Sequence, residues 1–296
     1  MRFGLTILTD LPWAQARPRW QAAEEMGFDH AWTYDHLVWG GLPESPWTTA
    51  TPVLGAVAQV TSTIGLGTLV VSPNFRHPYL LLRDAQALDD LSGGRFLLGV
   101  GTGGNLDSSI LALPELSVRE RVDRFQEFVE TLVELRDGDH VTREGRWFSV
   151  ADARTLPGLT RTPYLLAANG PRSLRFAAAH GDGWVTTGPH TTDSLDGWYA
   201  GLAETMTVFE EAARAAGRDV ASIPRYVLTD ATPHLSGRGR FALSSVAFFE
   251  EIAGRLAELG FTDLVTHWPR ADTAYVGDES VLEAVAADVL PGLQAG

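Results

Sequence analysis

Residues 64–104 read IGLGTLVVSPNFRHPYLLLRDAQALDDLSGGRFLLGVGTGG, and this stretch decides the fold. Ile64–Val71 is an apolar, β-branched run of the length and character of a parallel strand buried on both faces. Ser72-Pro73-Asn74 stops it. From Pro78 to Leu91 the apolar residues (Leu81, Leu82, Ala85, Leu88, Leu91) recur at helical spacing, and Ser92-Gly93-Gly94 supplies the glycine that commonly ends a helix. Arg95–Val100 is a second buried strand, and Gly101-Thr102-Gly103-Gly104 follows at its C-terminal end. Strand, crossover helix and strand at this spacing form a βαβ unit. A glycine cluster at the end of such a strand lets backbone lie close to a ligand.

The same alternation runs outward in both directions. Upstream, Arg2–Leu8 reads as a strand, Pro12–Met26 as a helix closed by Gly27, Asp29–Tyr34 as a short aromatic strand and Ala50–Thr61 as a helix. Downstream, Ser117 and Glu120 fit a capping box for a helix to Arg136. A small hairpin is expected over His140–Val150, turning at Glu144-Gly145. Then follow strand Pro163–Ala167, a helix from Gly170-Pro171 to His180, strand Trp184–Thr187, helix Leu195–Ala216, strand Ile223–Thr229, helix Ser244–Leu259, strand Phe261–Thr266 and helix Ser280–Leu290. Eight strands alternating with eight helices, with no Pro/Gly/Ser-rich linker, predict a single (β/α)8 barrel occupying 1–296 as one domain. The open doubly wound alternative would show a GxGxxG after the first strand, where Leu8-Thr9-Asp10-Leu11 stands.

Composition narrows the chemistry. The 296 residues carry a net charge of −14, the opposite of the basic patches that nucleic acids and anionic membranes favour. No apolar run is long enough to span a bilayer, and the first residues read as a strand and turn, so a cytoplasmic location is expected. Cysteine is absent, which excludes disulfides, thiolate metal sites and cysteine nucleophiles. Lysine is absent too, which excludes Schiff-base chemistry and a Walker phosphate loop. There is no HxH, HExxH or GxSxG motif, so neither a metal site nor a serine hydrolase is expected.

A barrel places its site at the C-terminal ends of the strands. Asn169-Gly170-Pro171 there is a strand end followed by a helix start, whose free N–H groups attract a phosphate and whose proline is also ordinary helix-start chemistry. His36, after Asp35 and before Trp39 and Trp47, is placed to give a hydrogen bond or a proton to a bound molecule, or equally to be a loop histidine satisfied by water. Asp35 either orients His36 or accepts bonds from a nearby turn. Arg76-His77 at the start of a helix reads as capping and a surface contact.

At this point two stretches together resemble a family. Residues 64–104 resemble the corresponding segment of the bacterial luciferase-like flavin-dependent oxidoreductases, and AANGPRSLRFAAAHGDGWVTTG (167–188) resembles their second signature, with TYDHL (33–37) in support. The resemblance implies a single TIM-like barrel with an insertion in a late βα loop, commonly dimeric. It also implies either reduced FMN in a monooxygenase, served by a separate flavin reductase, or coenzyme F420 in hydride transfer. Asp35-His36 with Trp39 resembles the F420-dependent branch, in which the histidine sits beside the reactive ring. Gly67–Val70 resembles the segment in which that branch has a non-prolyl cis peptide, placed here at Leu69–Val70. The resemblance further implies that Leu69, Val70 and Ser72 back the ring, that Gly101, Thr102 and Gly103 flank the cofactor's side chain, that Ala167, Ala168, Asn169, Gly170 and Pro171 surround its side chain and phosphate, and that Thr187 lies near the ring or substrate. Trp13, Trp39, His190 and Trp268 are expected to wall the substrate pocket, and Arg238 and Arg240 to form a surface loop that otherwise meets the coenzyme's anionic tail. The branch's glucose-6-phosphate dehydrogenases carry a catalytic glutamate where this chain has Gly104, and hold sugar phosphate with lysines that it lacks. A hydride transfer to or from another small organic molecule, such as an imine or an activated double bond, is therefore expected.

Overall fold

The computed structural model describes residues 1–156, 162–189, 194–231, 241–272 and 274–295. Eight parallel strands close into a barrel in the order β1 (Arg2–Thr6), β2 (His30–Thr33), β3 (Gly65–Val71), β4 (Phe96–Val100), β7 (Tyr164–Ala167), β8 (Gly183–Thr186), β9 (Arg225–Leu228) and β10 (Asp263–His267), which pairs back onto β1. Helices α1 (Trp13–Glu25), α2 (Ala50–Ala58), α3 (Pro78–Ser92), α5 (Val118–Asp137), α6 (Pro171–His180), α7 (Leu195–Ala215) and α8 (Val246–Glu258) follow their strands around the outside, and α9 (Glu279–Ala284) continues through a widened π turn at Val285–Val289 into α10 (Leu290–Ala295). The deciding stretch is as expected. His77 caps α3 by accepting from the Tyr79 N–H, and Gly93 closes the helix at φ 67°. The peptide between Leu69 and Val70 is cis, where the β3–β4 register shifts.

The barrel is packed rather than hollow. Trp32 fills the interior, and Gly67 on the neighbouring strand makes room for it: a β-carbon there would lie 2.6 Å from both the indole and the Leu97 carbonyl. The Trp32 indole N–H donates to His30 Nδ1 (2.6 Å), so His30 Nε2 carries its proton toward Asp263 (2.9 Å). Burial pushes the Asp263 carboxyl up, but the bonds from His30 and the charge of Arg2 outweigh it and hold the group below its ordinary value. This buried chain plugs the N-terminal end and leaves the opposite end for chemistry.

Three segments differ from expectation. The hairpin pairs β5 (Val141–Arg143) with β6 (Val150–Ala153), further along than read. Its loop is docked on α5, where the Glu127 carboxylate accepts from the N–H groups of Trp147 (2.7 Å) and Phe148 (2.8 Å). A short helix, α4 (Leu106–Ile110), occupies what read as loop. The final helix runs past Leu290 instead of ending there. The late βα connection after β9 spans 229–245, of which 232–240 lie outside the described residues. No helix among the described residues is long and apolar enough to cross a membrane.

Candidate active site

At the C-terminal face of the barrel a cleft of about 330 Å³ opens between the ends of β3, β4, β7 and β8 and the first turns of α5 and α6. Eight of the residues singled out in the sequence line it: Leu69, Val70, Thr102, Ala167, Ala168, Asn169, Gly170 and Thr187. Val118 and Val122 of α5, Ser173, Val185 and Leu228 join them unforeseen. The surface is mostly apolar, with polar groups converging at one end. Asn169 ties that end together: its amide donates to Thr187 Oγ1 (2.8 Å), and its carbonyl oxygen accepts from Thr186 Oγ1 (2.6 Å). Pro171 opens α6 directly behind it. A β-carbon on Gly170 would meet no protein atom within 4 Å, so the helix start is open to the cleft.

The Gly101–Gly104 loop is shaped by its backing. Gly103 has φ 62°, a left-handed conformation, and a β-carbon there would fall 2.6 Å from Ser72 Cβ and 2.7 Å from its Oγ. Ser72 is buried with its hydroxyl unpartnered by protein. Arg124 holds the Asn74 carbonyl oxygen, and Asn74 Nδ2 donates to the Gly104 carbonyl (2.5 Å), so the loop is braced from α5 through β3. Gly101 is closed in too: a β-carbon there would fall 2.6 Å from Val70 and 3.2 Å from Ala167.

His36 stands beyond β2 with its ring partly exposed. Asp35 does not orient it. Asp35 is buried and takes a bidentate pair from Arg76 (3.0 and 2.7 Å), so the reading of Arg76 as a surface contact is also corrected. The partner of His36 is Asp107 on α4. One oxygen lies 2.8 Å from His36 Nδ1, and the other accepts the Leu37 N–H at 2.7 Å. Because the carboxylate accepts at Nδ1, the lone pair of the neutral ring is left at Nε2.

Below this loop runs a buried polar chain that the sequence did not reveal. Asp230 Oδ2 accepts from Thr266 Oγ1 (2.7 Å), the His267 N–H (3.0 Å) and His267 Nδ1 (3.0 Å). His267 Nε2 therefore accepts from the Tyr34 hydroxyl (2.6 Å), with Tyr275 O–H 3.4 Å further on. Burial lowers the His267 pKa, against the raising effect of Asp230, and burial pushes the Tyr34 hydroxyl up. The Tyr275 ring stacks on His267 (3.6 Å) and on Trp39 (5.7 Å), while Tyr34 meets His36 and Trp39 edge-on. Trp39 thus belongs to an aromatic wall beside His36.

Two other tryptophans do not wall the cleft. Trp13 lines a separate groove between α1 and α2, with Trp20 and Val53. Trp268 is buried under α9, donates to Glu279 Oε1 (2.7 Å) and carries Arg19 over its ring. His190, Arg238 and Arg240 lie outside the described residues. Among the described residues no cluster of three metal-ligating side chains occurs.

Comparison with known proteins places the chain in a family. The family model described as luciferase-like monooxygenase matches residues 1–236. An F420-dependent glucose-6-phosphate dehydrogenase of Beutenbergia cavernae is 31% identical, with 92% of this chain aligned to 91% of that one. An F420-dependent hydroxymycolic acid dehydrogenase of Mycobacterium tuberculosis is 32% identical over 69% of this chain and 54% of its own length. The fold is that of an F420-dependent secondary alcohol dehydrogenase solved with an F420–acetone adduct: TM-score 0.82, 18% identity, 99% of this chain and 98% of that one.

Proposed function

This chain belongs to the luciferase-like monooxygenase family, and from that premise we propose that it is an oxidoreductase using coenzyme F420 to move hydride to or from a small organic molecule bearing a hydroxyl or carbonyl group. The observation that carries the reading is the His36–Asp107 pair on the same C-terminal face of the barrel as an apolar cleft that ends on an open helix start. Relatives whose names declare F420 dependence support the choice of coenzyme.

The residues present fit such a group. Leu69, Val70, Val185 and Leu228 offer apolar surface to a flat ring system, and the N–H groups at the start of α6 offer donors to an anionic side chain without any lysine. When bound, a deazaflavin accepts or supplies hydride at ring C5. The protein's share is the proton. Asp107 fixes the Nδ1–H of His36, and Nε2 takes the hydroxyl proton of an alcohol or returns it to a carbonyl oxygen in the reverse direction. Trp39 and Tyr275 restrict water at this side. Gly104 and the absence of lysine lead us away from sugar phosphates, and the reading takes reduction as the cellular direction. The reading takes the protein as a cytoplasmic homodimer that needs no flavin reductase.

Titration with oxidised F420, read by quenching of its fluorescence, and with FMN in parallel tests this. Saturable F420 binding with weak FMN binding is expected. Tight binding of FMN alone, with oxygen-dependent product formation from reduced FMN, would establish the monooxygenase alternative instead.

A further inference from the structure

Among the described residues, ten large apolar side chains are exposed, and five of them (Leu106, Ile110, Leu111, Leu113 and Val118) fall within 106–118. Their exposures run from 43% to 69%. Such clustering is unlike the single scattered apolar residues of an ordinary surface and marks a place where something apolar binds. The segment is also fixed in place. On its buried side Asp107 grips the His36–Leu37 loop, while Leu106 and Ile110, one turn apart, share the exposed side of α4. A β-carbon on Gly40 would sit 3.6 Å from Leu106, which places this leucine against the loop that follows His36. At the other end Val118, with Val122 one turn on, lines the cleft itself. The segment that carries these exposed apolar residues therefore has one end beside the histidine loop and the other in the cleft wall. Residues 104–118 contain two acids, Asp107 and Glu115, and no base. Nothing in that strip would welcome a phosphate.

We propose that the substrate is a lipophilic alcohol or the corresponding carbonyl compound, with its reacting carbon beside His36 and its hydrocarbon chain along the 106–118 lip. The proposal rests on the hydride-transfer reading above. In the oxidising direction the carbinol C–H bond breaks with hydride passing to C5 of oxidised F420, and the O–H bond breaks with the proton passing to His36 Nε2. The products are the carbonyl compound, reduced F420 and, after release from His36, one proton. Reduction is the same step reversed.

The test is a series of straight-chain 2-alkanols from four to ten carbons, with glucose 6-phosphate as the polar comparison, after F420 binding has been verified. kcat/KM is expected to rise about two- to fourfold per added methylene, as burial of alkyl surface dictates, with glucose 6-phosphate inert. The double variant Ile110→Ser/Leu113→Ser is expected to flatten that slope while leaving F420 affinity and turnover of 2-butanol unchanged. A flat series in the native protein, preference for glucose 6-phosphate, or an unaltered slope in the variant overturns the proposal. So does a change of the variant's oligomeric state by size-exclusion chromatography, which would make the lip a subunit contact. Binding of 2-alkanones to the coenzyme-free protein, followed by tryptophan fluorescence, supplies an independent readout. If F420 fails to bind, the coenzyme reading falls. Affinity that still climbs with ketone chain length, and does so less in the variant, supports the lip, and chain-length-independent binding sinks it.

Discussion

Replacing Asp107 by asparagine separates a carboxylate that positions His36 from one that merely holds a loop. Asp107 is 2% exposed and makes two bonds from its two oxygens, to His36 Nδ1 at 2.8 Å and from the Leu37 N–H at 2.7 Å. Asparagine has nearly the same shape, but only one of its two terminal atoms accepts. If that oxygen keeps the Leu37 N–H, the amide NH₂ faces Nδ1 and imposes the opposite tautomer, with the proton on Nε2. A neutral ring protonated at Nε2 cannot take a hydroxyl proton. A hydrogen bond to a charged group contributes about 1.5–3 kcal/mol. The His36 ring is 27% exposed, so water recovers part of it. We take about 2 kcal/mol, or roughly 30-fold in rate. The expected result is therefore a fall of about 30-fold in kcat for alcohol oxidation, followed by loss of F420 absorbance, with F420 affinity changed by less than about twofold. Asp107→Ala, which also strips the Leu37 N–H of its partner, should fall at least as far. A thermal unfolding midpoint close to that of the native protein confirms that folding is intact. If Asp107→Asn turns over within about twofold of the native rate, or loses only coenzyme affinity, His36 does not work through Asp107.

Four further outcomes follow from other parts of the structure. Gly103→Ala forces a side chain onto a left-handed residue and puts its β-carbon 2.6 Å from Ser72 Cβ. It should cost about 1–3 kcal/mol locally and raise the F420 dissociation constant about tenfold or more, measured by fluorescence quenching. Partial burial pushes the Glu24 carboxyl up, but the N–H groups of Ser62, Thr63 and Ile64 and the Thr63 hydroxyl overcome this and hold it at about 2. Its folded value lies below its unfolded 4.5, so its contribution is complete above pH 4.5 and disappears as pH falls toward 2. Glu24→Gln should lower the unfolding midpoint at pH 7 and converge with the native protein in acid. Tyr34→Phe leaves His267 Nε2 buried without a donor and should cost about 1–3 kcal/mol in urea unfolding. His267 itself, lowered by burial, makes stability decline as pH falls below 6.5, where the unfolded chain takes up the proton first, and His267→Gln should remove that dependence.

Pattern carried the fold because a barrel repeats one local rule. The run from Ile64 to Gly104 displays strand, cap, glycine stop and strand in order, and each expectation there matches to within a residue or so. The rim of the cleft was legible for the same reason, since strand ends are fixed once the strands are. Partnerships were not. Asp107 lies 71 residues from His36, on a five-residue helix too short to show a period, and Arg76 reaches Asp35 across 41 residues. Trp268 was misplaced because position at a strand end says nothing of side-chain direction. Successive residues of a strand face opposite ways. His267 points inward to Tyr34, so Trp268 must point out, toward α9.

The two features that escaped the sequence act on one residue. His36 sits on a loop, where a side chain that is partly exposed would ordinarily sample several rotamers. Here Asp107 holds its ring nitrogen from α4, while Tyr34, anchored through His267 to a fully bonded Asp230, supports the ring edge from beneath. Asp107 and the His267–Asp230 anchor of Tyr34 come from elements remote in sequence, and all are buried, so each bond is made where water competes least. Gly104, directly after Gly-Thr-Gly, carries no carboxylate. The acid found three residues later, at Asp107, faces the histidine instead of the cleft. With its acid turned inward, the helix is free to present Leu106 and Ile110 outward, so the element that orients the proton-handling group also forms the apolar rim beside it. The buried acid and the exposed apolar pair are therefore two faces of one helical turn.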